Sequence, residues 1–293
     1  MEDIPPEKSA KPDNDRKIPK MKNTGRLHKK HVRNPTHQRN QRVFFMIVIL
    51  LFLTGIAVLC GRWKEKNITA DAKSAEMCSG RKWEEIFSHS EIYPESFLKA
   101  LERNSEILDF VAEYPTSEPK SQGGISFKER LEKTPLFLQW DKRWGYVPYG
   151  QNNIGISGCG PTCLSMVLYS FTRNRELTPD VLAGRAMKEG YYVDGIGTSW
   201  SFMADVSADY GIYASQFTIL KEIEMRDRLN DGNLIICAMG PGDFTDQGHF
   251  IVIRGYSGGG FYVNDPFSNA NSKKVWAYET LSGQIQQTWV YAK

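Results

Sequence analysis

The chain has 293 residues, 41% of them hydrophobic, with 37 Lys and Arg against 34 Asp and Glu and a formal net charge of +3. Five cysteines are too few for a disulfide framework, and with no phosphate loop, dinucleotide fingerprint or internal repeat, no organic cofactor is expected. Residues 1–42 hold twelve Lys and Arg against five Asp and Glu, a net +7; this leaves −4 for the remainder and argues against a nucleic-acid partner by bulk charge.

The first 42 residues are polar, contain prolines and are predicted to be disordered. Val43 to Cys60 then runs eighteen residues without a charge. At about 1.5 Å per residue such a helix reaches about 27 Å, enough for a bilayer core. Lys29, Lys30, Arg33, Arg39 and Arg42 on its near side outnumber the basic residues in the Gly61-Arg62-Trp63-Lys64-Glu65-Lys66 stretch beyond it. A single-pass transmembrane helix is therefore expected over 43–60, with a basic cytoplasmic tail and an extracytoplasmic C-terminal part. The tail would set topology or touch anionic lipid. A cleaved signal peptide fits less well, because the nearest small-x-small triplet, Ala70-Asp71-Ala72, starts ten residues beyond the apolar run. Leu59 before Cys60 speaks against a lipoprotein.

A polar tether is expected over 61–80 and a short helical segment over 81–134. Pro94–Leu101 and Ile107–Val111 each show helical apolar spacing, and Asn104-Ser105 can cap the second. This piece is too small for its own core, so it should dock on the domain that follows. Gln122-Gly123-Gly124-Ile125 contains two adjacent glycines and reads as linker rather than as a self-processing site. Cys78 has no obvious partner.

Residues 135–293 suffice for one domain. Its most informative stretch is Gly158-Cys159-Gly160-Pro161-Thr162-Cys163 followed by an apolar run, which seats Cys159 where a loop becomes a helix. Unpaired N–H groups and the helix dipole favour a thiolate there. The glycines would keep the approach to sulfur clear, and Pro161 suits a first helical turn. Cys163 falls on the stripe of Leu164, Val167, Leu168 and Phe171 and reads as core, as does Cys237 within Leu234–Met239. Further on come a helix start at Thr178-Pro179, a loop from Gly195 to Trp200, a helix ending near Gly211, and strands near 234–239, 249–256, 261–264, 274–278 and 287–291. Helices first and an antiparallel sheet later indicate an α+β fold.

A catalytic thiol needs a base. His28, His31 and His37 lie in the basic tail and His89 in a connecting region, which leaves His249 at the head of an apolar strand. An orienting group on the neighbouring strand would complete the set. Side chains alternate along a strand, so parity separates two candidates. A three-residue loop from Ser257 to Gly259 gives an even index sum and puts Asp265 on the face of His249. A four-residue loop gives an odd sum and favours Asn264. Asp265 is preferred because an acid also stabilises an imidazolium, and Asn264 stays open. Zinc on Cys159, Cys163 and His249 lacks the usual ligand spacing, so no metal is expected.

Leu138-Gln139-Trp140-Asp141-Lys142-Arg143-Trp144, the Gly-Cys-Gly-Pro-Thr segment, Gly248-His249-Phe250 and Asn264-Asp265-Pro266 occur in that order. Together they resemble the papain-fold cysteine peptidases related to the bacteriocin-processing, double-glycine peptidases, over roughly Pro135 to Lys293. The resemblance implies a papain-like fold, with a nucleophile helix packed on the antiparallel sheet. It also implies Cys159 as nucleophile, His249 as base, Asp265 as orienter and Gln139 as an oxyanion-hole donor. The expected function is a membrane-anchored thiol hydrolase of amide bonds, acting on a peptide or protein substrate, cell-wall peptides included. Trp144, Trp200 and Tyr192 flank these motifs and are candidates to line a substrate groove. Dedicated double-glycine peptidases are usually cytoplasmic parts of exporters, whereas this domain is expected to face outward. The rival expectation is a papain-like module that binds peptide or cell-wall ligand without turnover.

Overall fold

The computed structural model describes residues 75–293, together with Met46, Leu50 and Thr54, which are helical. The expected basic tail, the rest of the expected transmembrane helix and residues 61–74 of the expected tether lie outside the described residues. Among the described residues no helix is long and apolar enough to cross a membrane.

Residues 75–88 form helix α1, which takes in the last part of the stretch read as a tether. Two further helices, α2 (Glu95–Arg103) and α3 (Leu108–Ala112), follow the expected apolar spacing. Asn104 caps the 3₁₀ turn Ser105–Ile107 between them, accepting the Glu106 N–H at 3.0 Å. Ile86, Phe97, Leu101, Ile107, Phe110 and Val111 form the apolar cluster of this segment, and Tyr146 of the following domain completes it. Docking is thus the means by which the segment buries its apolar face. Phe110 stacks on Tyr146 at 4.4 Å, and the Tyr146 hydroxyl donates to the Phe110 carbonyl at 2.9 Å.

Helix α4 (Phe127–Leu131) opens with a capping box between Ser126 and Glu129. Arg143 joins Glu129, Asp141 and the Gly124 carbonyl and lies 4.2 Å over the Trp144 ring. The Gly123-Gly124 pair is pinned beneath this arginine, whose Cγ lies 3.1 Å from where a Gly123 Cβ would stand.

In the domain, α5 (Ile154–Ser157) and α6 (Cys159–Thr172) are followed by α7 (Pro179–Lys188), α8 (Ser201–Ala208) and α9 (Glu222–Asn230). Two small hairpins pair β1 (Pro148–Tyr149) with β2 (Asn152–Asn153) and β3 (Tyr192–Val193) with β4 (Gly197–Thr198). The main sheet holds β5 (Tyr213–Phe217), β6 (Leu234–Met239), β7 (His249–Ser257), β8 (Gly260–Asn264), β9 (Val275–Trp276) and β10 (Ile285–Ala292), in the order β5-β10-β6-β7-β8-β9. Its pairings are all antiparallel. The α+β expectation therefore holds.

Two differences from the sequence reading have plain causes. Strand β5 was not expected: Tyr-Ala-Ser-Gln-Phe carries no apolar run, and among the described residues it is an edge strand that pairs only with β10. The expected strand near 274–278 is two residues long, and helix α11 (Tyr278–Ser282) then buries Leu281.

One sheet face packs Ile236, Ala238, Val252 and Trp289 under Leu164, Val167 and Leu168 of α6. The other packs Ile235, Cys237, Ile251 and Val290 under Met225 and Leu229 of α9. Both cysteines read as core, Cys163 and Cys237, are buried, and burial raises the pKa of each.

Candidate active site

Cys159 is the first residue of α6, and the local sequence explains its seat. Asn153 caps α5 by accepting the Ile156 N–H at 3.1 Å. Gly158 then turns the chain into α6, where a Cβ would lie 2.6 Å from the Ile154 carbonyl oxygen. A Cβ on Gly160 would lie 2.6 Å from the Thr198 hydroxyl. These two glycines allow close packing on both sides of the cysteine. No side chain caps α6, so its first N–H groups remain available to a developing anion.

His249 begins β7, opposite Met239 at the end of β6. Its Nε2 bonds Asp265 Oδ1 at 2.8 Å, which leaves Nδ1 for a thiol. Asp265 is held on all sides. Its Oδ1 accepts the Phe267 N–H at 2.8 Å, its Oδ2 accepts Asn271 Nδ2 at 2.9 Å, and its own N–H donates to Ser272 Oγ at 2.8 Å. Asn271 and Ser272 belong to α10 (Asn269–Lys273). The sequence reading missed both residues, since only the fold brings this short helix back onto the carboxylate.

Burial works to lower the His249 pKa, but the Asp265 charge and hydrogen bond outweigh it, and with Cys159 adding to them the value is pushed up to about 10. Burial likewise works to raise the Asp265 pKa, and the His249 charge with the bonds from His249, Asn271 and Phe267 holds it below the ordinary value.

The parity question has an unexpected answer. The β7–β8 turn is the two-residue Gly258-Gly259, closed by the Ser257–Gly260 pair, so neither expected loop forms and the register at the turn has the odd sum that favours Asn264. Between Ile253 and Gly255 the register shifts, leaving Arg254 outside the ladder, and Val252 then pairs Asn264 with an even sum. Continued by one residue, this register sets Asp265 opposite Ile251, on the face of His249. Asn264 does other work. It donates to the Thr134 and Pro135 carbonyls at 3.3 and 3.0 Å and accepts Arg254 Nε at 2.8 Å.

Gln139 is buried. Its Nε2 donates to the Gly155 carbonyl at 3.0 Å, its Oε1 has no partner among the described residues, and its backbone N–H bonds the Pro266 carbonyl next to Asp265. One of the two amide protons is thus free to donate. Cys159, His249 and Gln139 line one cleft of about 710 Å³, with Tyr192 and Trp200 on its wall. Trp144 departs from expectation: it is fully buried, its Nε1 donates to Leu138 O, and it packs in the core. Among the described residues no group of three or more His, Cys, Asp and Glu is placed to hold a metal ion.

A thiol at a helix N-terminus, an imidazole and a buried carboxylate on that imidazole form the set that nucleophilic acyl transfer requires. The family model described as Peptidase_C39 like family matches residues 133–293. The chain belongs to the Peptidase_C39-like family. No curated protein matches it. Among solved structures, this Peptidase_C39-like chain is similar to a C39-like peptidase from Bacillus anthracis, with 16% identity, a TM-score of 0.36, and 59% of this chain and 98% of that one covered. The peptidase domain of Streptococcus ComA, a bi-functional ABC transporter, matches at 17% identity with TM-score 0.36, covering 46% of this chain and 91% of that one. A double-glycine-motif protease from an AMS/PCAT transporter, solved with its leader peptide, matches at 17% identity with TM-score 0.35, covering 58% and 98%. The family assignment rests on the family model, and residues 75–132 precede the match.

Proposed function

We propose that this Peptidase_C39-like chain is a cysteine peptidase that hydrolyses peptide bonds with Cys159, His249, Asp265 and Gln139, and that residues 43–60 anchor it with its catalytic domain outside the cytoplasm. The observation that carries the chemistry is the buried His249–Asp265 pair, at 2.8 Å, in the cleft that Cys159 and Gln139 also line. The Cys159 thiol gives its proton to His249 Nδ1, and the thiolate attacks the peptide carbonyl. The oxyanion accepts hydrogen bonds from the free Gln139 amide N–H and the Cys159 backbone N–H. The imidazolium, stabilised by Asp265, then protonates the leaving amine, and a thioester remains. Water, deprotonated by the same imidazole, releases the acid and restores the thiol. A family built on peptidases supports a peptide as substrate.

The test is Cys159→Ala in the full chain against a peptide library. Hydrolysis should fall to background while peptide binding survives. Full turnover in this variant would exclude the mechanism, and binding without turnover in the native chain would favour a binding module.

A further inference from the structure

Residues 103–110 precede the family match, yet they touch the supports of His249, Gln139 and Asp265. Arg103 Nη2 donates to the Phe244 carbonyl at 2.5 Å, and its Nε lies 3.7 Å from Asp246, both in the loop that leads into His249. Phe110 fills the space beside Gly155, whose carbonyl accepts Gln139; a Cβ there would lie 2.2 Å from the Phe110 ring. The closest bracing is at Asp265. Asn104 Nδ2 donates to the Phe267 carbonyl at 2.6 Å, beside the Trp140 indole at 2.8 Å on the same oxygen. Glu106 Oε1 accepts Ser268 Oγ at 2.9 Å and the Ala270 N–H at 3.0 Å, both at the start of α10.

Helix α10 carries Asn271 and Ser272, and Phe267 supplies an N–H, so every neighbour that bonds Asp265 apart from His249 stands on backbone gripped by Asn104 or Glu106. Both residues are half-buried against the domain. A five-residue helix has little stability of its own, so its position depends on what holds its ends. Glu106 Oε1, accepting from both the Ser268 hydroxyl and the Ala270 N–H, ties down the helix's first turn.

We infer that Asn104 and Glu106 are positioning residues of the peptidase site, fixing the loop and short helix after Asp265 and through them the carboxylate that meets His249. The N-terminal helical segment is then a working part of the site and not a spacer between anchor and enzyme. This inference rests on the His249–Asp265 reading above.

The experiment follows the His249 ring titration by NMR in the full chain labelled at histidine, for Glu106→Ala, Glu106→Gln and Asp265→Asn, with peptide turnover beside it. Groups facing the His249 ring are Asp265 and Cys159, so Glu106 acts on it through geometry. In Glu106→Ala the His249 midpoint should fall by about one pH unit or more, a tenfold change in the equilibrium, with kcat falling and KM little changed. Glu106→Gln keeps an oxygen that accepts both bonds and should keep the native midpoint, which separates the hold from the charge. An unchanged midpoint in Glu106→Ala while Asp265→Asn shifts it would overturn the inference alone. No shift in Asp265→Asn would instead overturn the reading of the pair itself. If Glu106→Ala does not fold, Asn104→Ala, which removes one of the two donors on the Phe267 carbonyl, is read by the same criteria.

Discussion

His249 is buried beside a carboxylate that is more buried still, 8% against 1% exposed, and each charge is sustained by the other. The sign of the pH dependence follows. The folded His249 pKa is raised from 6.5 to about 10, so its stabilising contribution is full below about pH 6.5 and is lost as pH rises through about 10. Asp265 is depressed from 3.8, so its contribution is present above that value and is lost as pH falls through its folded pKa. Asp265→Asn removes the strongest influences that raise the His249 pKa, leaving burial, which lowers an imidazole pKa, opposed by Cys159. The His249 titration should therefore fall well below about 10, and the loss of stability on the alkaline side, measured by thermal unfolding against pH, should shrink. A titration still near 10 in that variant would refute the assignment of its cause.

At the scale of elements, the placement of α6 depends on Gly158 and Gly160 lying flush against α5 and β4. Thr198 is buried and its hydroxyl already bonds Tyr149 at 2.7 Å, so it has little room to yield to a methyl group. Gly160→Ala should cost about 1–3 kcal/mol by overpacking, read as a lower melting temperature. Adding Thr198→Ser removes the Thr198 methyl, but the hydroxyl would still meet the new Cβ; Thr198→Ala removes the hydroxyl and should return a measurable part of the loss in a double-mutant cycle. Additive losses in the cycle would show that the two positions do not meet. The helical segment is coupled to the domain by the same kind of contact, with Phe110 lying against Gly145 and Gly155.

For the whole molecule, the proposed anchor at residues 43–60 implies a side of the membrane for the peptidase domain. The charge asymmetry around residues 43–60 points outward. Cys78 is a free, exposed thiol beyond that stretch and makes a convenient reporter. In a Cys159→Ala background, a membrane-impermeant maleimide should label Cys78 on intact cells as fully as after lysis. Labelling only after lysis would place the domain in the cytoplasm and overturn the proposed topology.

The candidate residues Cys159 and His249 were legible in the chain because their signals are local. A cysteine between two glycines before an apolar helix, and a histidine heading a β-branched strand, need no partner to be recognised, and the helix-then-sheet order follows from periodicity alone. Gln139 came only through resemblance, since its amide is defined by a carbonyl sixteen residues away. Tertiary structure decided what depends on distance across the chain. The bulge at Arg254 reversed the parity of the turn and gave the histidine its acid, and Trp144 went to the core instead of the cleft. The strap from Asn104 to Glu106 reached a helix more than 160 residues on. A sequence pattern records which face a residue wants to bury; which surface covers that face is settled only when the elements pack.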